Sequence, residues 1–145
     1  MNIETYREMV EEDLKFDESK LDIESLKVPQ LHGKYLNFYY NEKRNLHVQK
    51  KIKSNLFKLK WEYYTGRISK EDLDVNKWEP FDHKILRQDV DLYLESDKDL
   101  QEIDSKIFLI QEKVDYLESI LKLISNRQFH IRDAIAWRRF INGVV

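Results

Sequence analysis

Between Leu100 and Ile124 the apolar residues follow a regular alternation. Leu100, Ile103, Ile107, Ile110, Val114, Leu117, Leu121 and Ile124 succeed one another at steps of three and four. This is an a/d heptad seam, and it predicts a long amphipathic helix. Phe108, Leu109, Tyr116, Ile120 and Leu123 broaden the stripe. A two-stranded seam needs less, so a bundle or hairpin with more than one partner face is expected. Ser96 is the candidate N-cap, and Asp97 and Asp99 in the first turn suit the helix dipole. Ser125-Asn126 is read as an interruption. A last amphipathic helix over about 127–141 then carries Phe129, Ile131, Ile135, Trp137 and Phe140 beside Arg132, Arg138 and Arg139.

Upstream, residues 35–64 contain neither Gly nor Pro, and Ile52, Leu56, Leu59 and Tyr63 share one narrow stripe at helical spacing. Gly66 ends this helix, with Arg67 just beyond it. Residues 4–16 predict a short helix, with Thr5 and Glu8 as a possible capping box. An irregular stretch holding Pro29 and Gly33 follows. Residues 68–83, acidic and containing Trp78 and Pro80, read as a connecting loop. Only 3 Gly and 2 Pro occur in 145 residues, too few for the frequent turns of a sandwich, barrel or wound sheet. The fold class expected is all-α, built of long amphipathic helices. No cysteine is present, which excludes a disulfide scaffold, a cysteine nucleophile and a thiolate zinc site. An intracellular protein is the natural expectation. No apolar run is long enough to span a membrane, and the acidic N-terminus lacks the apolar core of a secretion signal.

The formal net charge of −2 conceals a strong asymmetry. Residues 32–67 hold 9 Lys/Arg against 2 Asp/Glu, a net of +7, whereas residues 68–120 hold 7 against 15, a net of −8. Such a basic block suggests an anionic partner; the intramolecular alternative is that it packs on the acidic block. On a helical wheel with Ile52 at zero, Lys53 and Lys60 flank one side of the stripe, and Lys51 and Lys58 the other. Lys50, Phe57 and Trp61 lie on the far side. Cations interleaved with rings are what a single-strand nucleic-acid site needs, because cations pair with phosphates while unpaired bases stack on the rings. The competing reading is that Phe57 and Trp61 fill a second packing face.

Signals of catalysis are missing from this pattern. His32, His47, His83 and His130 are scattered without metal-ligand spacing, and no phosphate loop or nucleophile elbow is present. Asp97 with Asp99, or Glu71 with Asp72, are the only pairs suggestive of a Mg²⁺ nuclease, and helix-start and loop roles explain them better. No enzyme, metal or cofactor is expected. Two apolar helices at the end of a short chain leave faces that few other elements can cover, so self-association is inferred there. The residues in question are Ile107, Ile110, Val114, Leu117, Leu121, Ile124, Phe129, Ile135, Trp137 and Phe140; the alternative is an intramolecular three-helix bundle.

Trp61-Glu62-Tyr63-Tyr64-Thr65-Gly66-Arg67, preceded by Gln49-Lys50-Lys51-Ile52 and by Lys58 and Lys60, resembles the UvsY-type recombination mediators of T4-like bacteriophages. So do Ser96-Asp97-Lys98-Asp99 with Ile103-Asp104-Ser105, and Phe16-Asp17 with Ser19-Lys20-Leu21. The tail Phe129, Ile131-Arg132, Ile135, Arg138, Phe140 and Gly143 completes an ordered set along nearly the whole chain. The resemblance implies an all-helical accessory factor for homologous recombination, recombination-dependent replication and repair. Such a factor loads a RecA-like phage recombinase onto single-stranded DNA covered by the phage single-strand binding protein. It implies a homo-oligomeric ring, hexamer or heptamer, joined through C-terminal helices, in the cytoplasm of the infected bacterial host. The family's DNA-binding basic pair falls on Lys58 and Lys60. One of the two is usually Arg, so bidentate phosphate contact is lost here. The connector 68–95 is longer here than in the family. The candidate DNA contacts are therefore Lys50, Lys51, Lys53, Lys58, Lys60, Trp61 and Arg67. The chain is expected to divide into a DNA-binding region, 1–95, and an oligomerisation region, 96–145. Two rival classes remain: a coiled-coil scaffold without nucleic-acid binding, and a nuclease using Asp97 and Asp99.

Overall fold

The structure, a computed structural model, describes residues 1–143. Helices α1 (Ile3–Asp13), α2 (Leu21–Tyr64), α3 (Lys70–Asn76), α4 (Val90–Glu95) and α5 (Lys98–Ile141) follow in order, with a 3-10 turn at Arg87–Asp89 before α4. Among the described residues there is no strand, and the fold class is all-α as expected. No described helix is long and apolar enough to cross a membrane.

The chain divides into two compact units. One unit takes Met1–Arg44 with the chain from Gln111 onward; the other is Asn45–Ile110. In the first, Tyr6, Val10, Leu21, Val28, Tyr35, Leu117, Ile120, Ile124 and Ile131 form the buried core. The Asn2 side chain caps α1 by accepting from the Thr5 N–H at 2.8 Å and the Thr5 hydroxyl at 2.9 Å, so Asn2 replaces the expected Thr5 capping box.

Helix α2 starts well before the expected residue 35, and Pro29 lies inside it. An interior proline removes one helix hydrogen bond and costs about 3 kcal/mol. Val28 (4% exposed) and Tyr35 (0% exposed) sit on either side of it in the core. Two such burials contribute roughly 1.5–3 kcal/mol each, enough to keep the helix continuous. Ser125-Asn126 likewise fails to interrupt α5, where buried Ile124 and Ile131 bracket the pair.

The heptad is this chain's own core. Leu100, Ile103, Ile110, Val114, Leu117 and Ile124 are buried, and Ile107 and Leu121 are half-buried. Of the expected oligomerisation residues, Ile110, Val114, Leu117 and Ile124 are thus consumed by intramolecular packing. Phe129, Ile135, Trp137 and Phe140 remain exposed.

In the second unit, Val90, Leu94 and Leu100 pack with Leu56, Trp61, Tyr64 and Ile85. The expected loop 68–83 contains α3, capped by Ser69, whose hydroxyl accepts from the Asp72 N–H at 3.1 Å. Asp97, not Ser96, caps α5: its Oδ1 accepts the Leu100 N–H at 2.9 Å, while the Ser96 hydroxyl donates back to the Leu92 carbonyl.

Candidate nucleic-acid interface

Helix α2 ends in a Schellman motif. The Arg67 N–H donates to the Glu62 carbonyl at 2.8 Å and the Gly66 N–H to Tyr63 at 3.4 Å, with Gly66 at φ +74°. The Trp61–Arg67 sequence therefore builds a helix end and a packing hub. The Arg67 guanidinium lies 5.0 Å from the Trp61 ring. The Tyr63 hydroxyl donates to the Glu79 carbonyl at 2.6 Å, and its ring meets Trp78 and Phe81 edge-on or tilted. Tyr64 touches Phe81 and Tyr93.

The face of α2 turned into this unit differs from the expected stripe. Ile52 is 45% exposed, whereas Leu46 and Lys60 are buried. The inward face is rotated toward Gln49, Lys53, Leu56, Lys60 and Tyr64. Lys53 Nζ pairs with Asp104 Oδ1 at 2.6 Å, and Lys60 Nζ with Asp97 Oδ2 at 3.0 Å and Asp99 Oδ2 at 2.8 Å. As α2 advances from 53 to 60, its α5 partners retreat from 104 to 97, so the two segments run antiparallel. The intramolecular reading of the charge asymmetry is thus right for these two lysines.

Lys60 is 5% exposed, and its ammonium lies 4.1 Å from the Trp78 ring centroid. The expected solvent-facing position of Lys60 is corrected on this ground. An ammonium removed from water needs compensating charge and hydrogen bonds, and here two carboxylates and a ring supply them. Asp97 is itself 5% exposed, and its Oδ2 also accepts the Tyr64 hydroxyl at 2.6 Å. Burial alone pushes the Asp97 carboxyl up. Hydrogen bonds from Tyr64, the Leu100 N–H and Lys60 outweigh that and hold it below its ordinary value. The Tyr64 phenol is pushed well above its ordinary value by burial and by its bond to Asp97. Trp61 is half-buried against the Val90–Leu94–Leu100 cluster and fills a packing face, as the competing reading held.

The remaining basic residues point outward. Lys50, Lys51 and Lys58 are exposed and make no ion pair among the described residues. Lys51 and Lys58 are seven residues apart on one face, about 10 Å along the axis. Phe57 is 46% exposed, and Arg67 is exposed at the helix end. Phe57 also lines a cavity with Lys53, Asp91, Glu95 and Asp104, on a neighbouring face of the helix from Lys51 and Lys58; exposed cations and an open ring on one helix suit an unpaired strand. Sequence reasoning missed Asp97, Asp99 and Tyr64 as partners of Lys60. The nearest signal was the acidic Asp97-x-Asp99 pair, which spacing alone cannot tie to a lysine on another helix. Among the described residues no group of three or more His, Asp or Glu side chains is placed to hold a metal ion.

A family model described as "Recombination, repair and ssDNA binding protein UvsY" matches residues 9–144. The recombination protein uvsY of Enterobacteria phage T4 is 25% identical over 146 residues, covering 99% of both chains. Crystal structures of the bacteriophage T4 recombination mediator protein UvsY superpose on this chain. The lattice type II structure does so with a TM-score of 0.83 at 23% identity, covering 99% of each chain. The lattice type IV structure gives a TM-score of 0.82 at 23% identity, covering 97% of this chain and 98% of that one.

Proposed function

This chain belongs to the UvsY family of recombination, repair and single-stranded-DNA-binding proteins, and we propose that it acts as a recombination mediator. It binds single-stranded DNA in the cytoplasm of the infected bacterial host. It loosens the hold of the phage single-strand binding protein and favours nucleation of a RecA-like recombinase. The observation that carries the DNA-binding part is the outward row on α2, where Lys50, Lys51 and Lys58 lack acidic partners among the described residues, with Phe57 46% exposed on the same helix. Phosphates pair with those lysines and with Arg67, and a base stacks on Phe57. Lys53, Lys60 and Trp61 act inside the unit and are left out of the contact set. One copy of so small a surface binds weakly. In a hexamer or heptamer a strand that meets one copy meets the next at high effective concentration, and avidity follows without new contacts.

The test is a titration of labelled poly-dT over a range of salt. Replacing Lys51 and Lys58 together with Ala should lower affinity and flatten the dependence of log K on log salt by about 0.7 per lost phosphate contact. Helical content should stay the same. Unchanged affinity at low salt removes these residues from the site. A coupled assay, recombinase filament growth on a strand pre-covered by single-strand binding protein, tests the mediator role. Growth no faster with this protein than without it ends that reading.

A further inference from the structure

Two stretches that stand far apart in the sequence meet in the second unit, and both belong to the ordered set of motifs read above. Lys60 and Tyr64 come from the stretch around Trp61–Arg67, and Asp97 and Asp99 from Ser96–Asp99. At their meeting point Asp97 serves two helices at once. Its Oδ1 accepts the Leu100 N–H and starts α5, while its Oδ2 takes Tyr64 at 2.6 Å and Lys60 at 3.0 Å from α2. Trp78 closes over the Lys60 ammonium, and Tyr63 lies 5.6 Å from it. Lys60 and Asp97 are both 5% exposed. No face of the ammonium is left for a phosphate.

We propose that Lys60, Asp97 and Tyr64 are positioning residues for strand binding: they fix the rotation of α2 against α5, and Lys60 acts through Asp97 rather than by touching the strand. The inference rests on the reading of α2 as the strand-binding helix. The geometry explains why rotation matters. Lys51 and Lys58 lie on the face roughly opposite the clamp, at 100° per residue, so a twist of α2 carries them away from solvent on the same side together. Lys53 and Asp104 add a second, more exposed tie two turns earlier on the same face of α2. A buried pair of this kind contributes little net stability against an apolar replacement, yet breaking one side of it is costly. Its value here is orientation.

A phosphate contact and a positioning contact predict opposite signs. If the Lys60 cation touches DNA, replacing Asp97 by Asn removes a competing negative charge, and binding tightens. If Lys60 acts through Asp97, the same change loosens α2 and binding weakens several-fold. The experiment is poly-dT titration of the full-length protein across salt for Asp97→Asn, Tyr64→Phe, Lys60→Met and Lys60→Arg, each checked for helical content and run well below its melting temperature. Expected are weaker binding for Asp97→Asn, Tyr64→Phe and Lys60→Met with the salt slope kept, and recovery in Lys60→Arg, which can still reach the two carboxylates. Tyr64→Phe changes no charge and removes one hydroxyl, so it stays informative if the charged variants unfold. Tighter binding in Asp97→Asn, a slope about 0.7 shallower in Lys60→Met, or unchanged affinity in Tyr64→Phe overturns the proposal. Lys51→Ala with Lys58→Ala runs in the same series. If that pair also keeps its slope, the strand-binding reading of α2 fails; if it loses slope while Asp97→Asn tightens binding, only the positioning proposal fails.

Discussion

The Tyr6 hydroxyl donates to Glu42 Oε1 at 2.8 Å, tying α1 to α2 inside the core of the first unit. The other oxygen of the same carboxylate lies 3.1 Å from Lys113 Nζ on α5, and Glu42 is 7% exposed. One buried acid therefore joins three helices. Removing one partner leaves a buried carboxylate under-compensated, which is where such pairs become costly. Lys113→Met should destabilise by about 3–5 kcal/mol and Tyr6→Phe by about 1–3 kcal/mol. Urea titration followed by circular dichroism measures both. Losses below half a kcal/mol in both variants would mean that Glu42 is solvated in solution.

Pro29 and Gly33 offer changes of the opposite sign. Both lie in the interior of α2, and an added Cβ at Gly33 meets nothing within 4 Å. Gly33→Ala should stabilise by about 0.5–1 kcal/mol. Pro29→Ala restores a helix N–H and removes a clash with the preceding turn, for a gain of up to about 3 kcal/mol. The two should add, because each acts on backbone rather than on a shared contact. Thermal melts decide; a lower melting temperature for Gly33→Ala would show that this segment is not helical in solution.

Those two residues also mark where the sequence was hard to read. Gly and Pro are local signals, and locally they argued for an irregular stretch. The burial of Val28 and Tyr35 that overrides them is tertiary. The heptad of α5 was legible because period alone carries it, but period cannot say whether the covering helix comes from the same chain. Here α2 covers it, and the supposed assembly seam became core. The Gly66 stop was legible because only a left-handed residue closes that helix end. Lys60 was read on an outward flank because lysine is almost always solvated. Its partners lie on another helix, and no spacing rule reaches them. Lys50, Lys51 and Lys58 are exposed, as the helical wheel places them, and reading that needed no knowledge of another helix.

Alkaline titration should separate the tyrosines. Burial and carboxylate bonds push the phenols of Tyr6, Tyr35 and Tyr64 well above their ordinary value, toward Glu42, Asp13 and Asp97 respectively. A raised folded-state pKa gives stability that is complete below the unfolded value, about pH 10, and is lost as pH rises beyond it. Tyrosinate absorbance should therefore show a late alkaline step, belonging to these three phenols, that coincides with loss of helix. A single step embracing all 8 tyrosines with circular dichroism unchanged would contradict the three buried bonds.

The acid limb carries the opposite sign. Hydrogen bonds from Lys34 and Tyr35 overcome the effect of burial and hold Asp13 below its ordinary value, as Tyr64, the Leu100 N–H and Lys60 do for Asp97. Their stabilisation is present above the ordinary carboxylate pKa of about 3.9 and lost as pH falls through the depressed folded value. Asp13→Asn should flatten the fall of stability with acid while lowering stability at neutral pH. Urea midpoints at a series of pH values test this. An unchanged acid limb would mean that Asp13 is free in solution.

The tail of α5 carries the largest exposed rings of the expected oligomerisation set. Trp137 and Phe140 stack at 5.7 Å between ring centroids with 61% and 73% exposure, and Phe129 and Ile135 are also open. Water-facing rings of that size are costly for a single copy, and burying one contributes roughly 1.5–3 kcal/mol. In a closed ring the gain recurs at every interface. Trp137→Ser with Phe140→Ser should therefore lower the light-scattering mass and leave the helical signal nearly intact, because neither ring belongs to the core. Ile124→Ala is the control: it lies at 0% exposure in the first unit's core, and its loss should lower the melting temperature through a cavity worth about 2–5 kcal/mol. If the double variant keeps the parent's mass at every concentration, the tail of α5 is not an assembly surface.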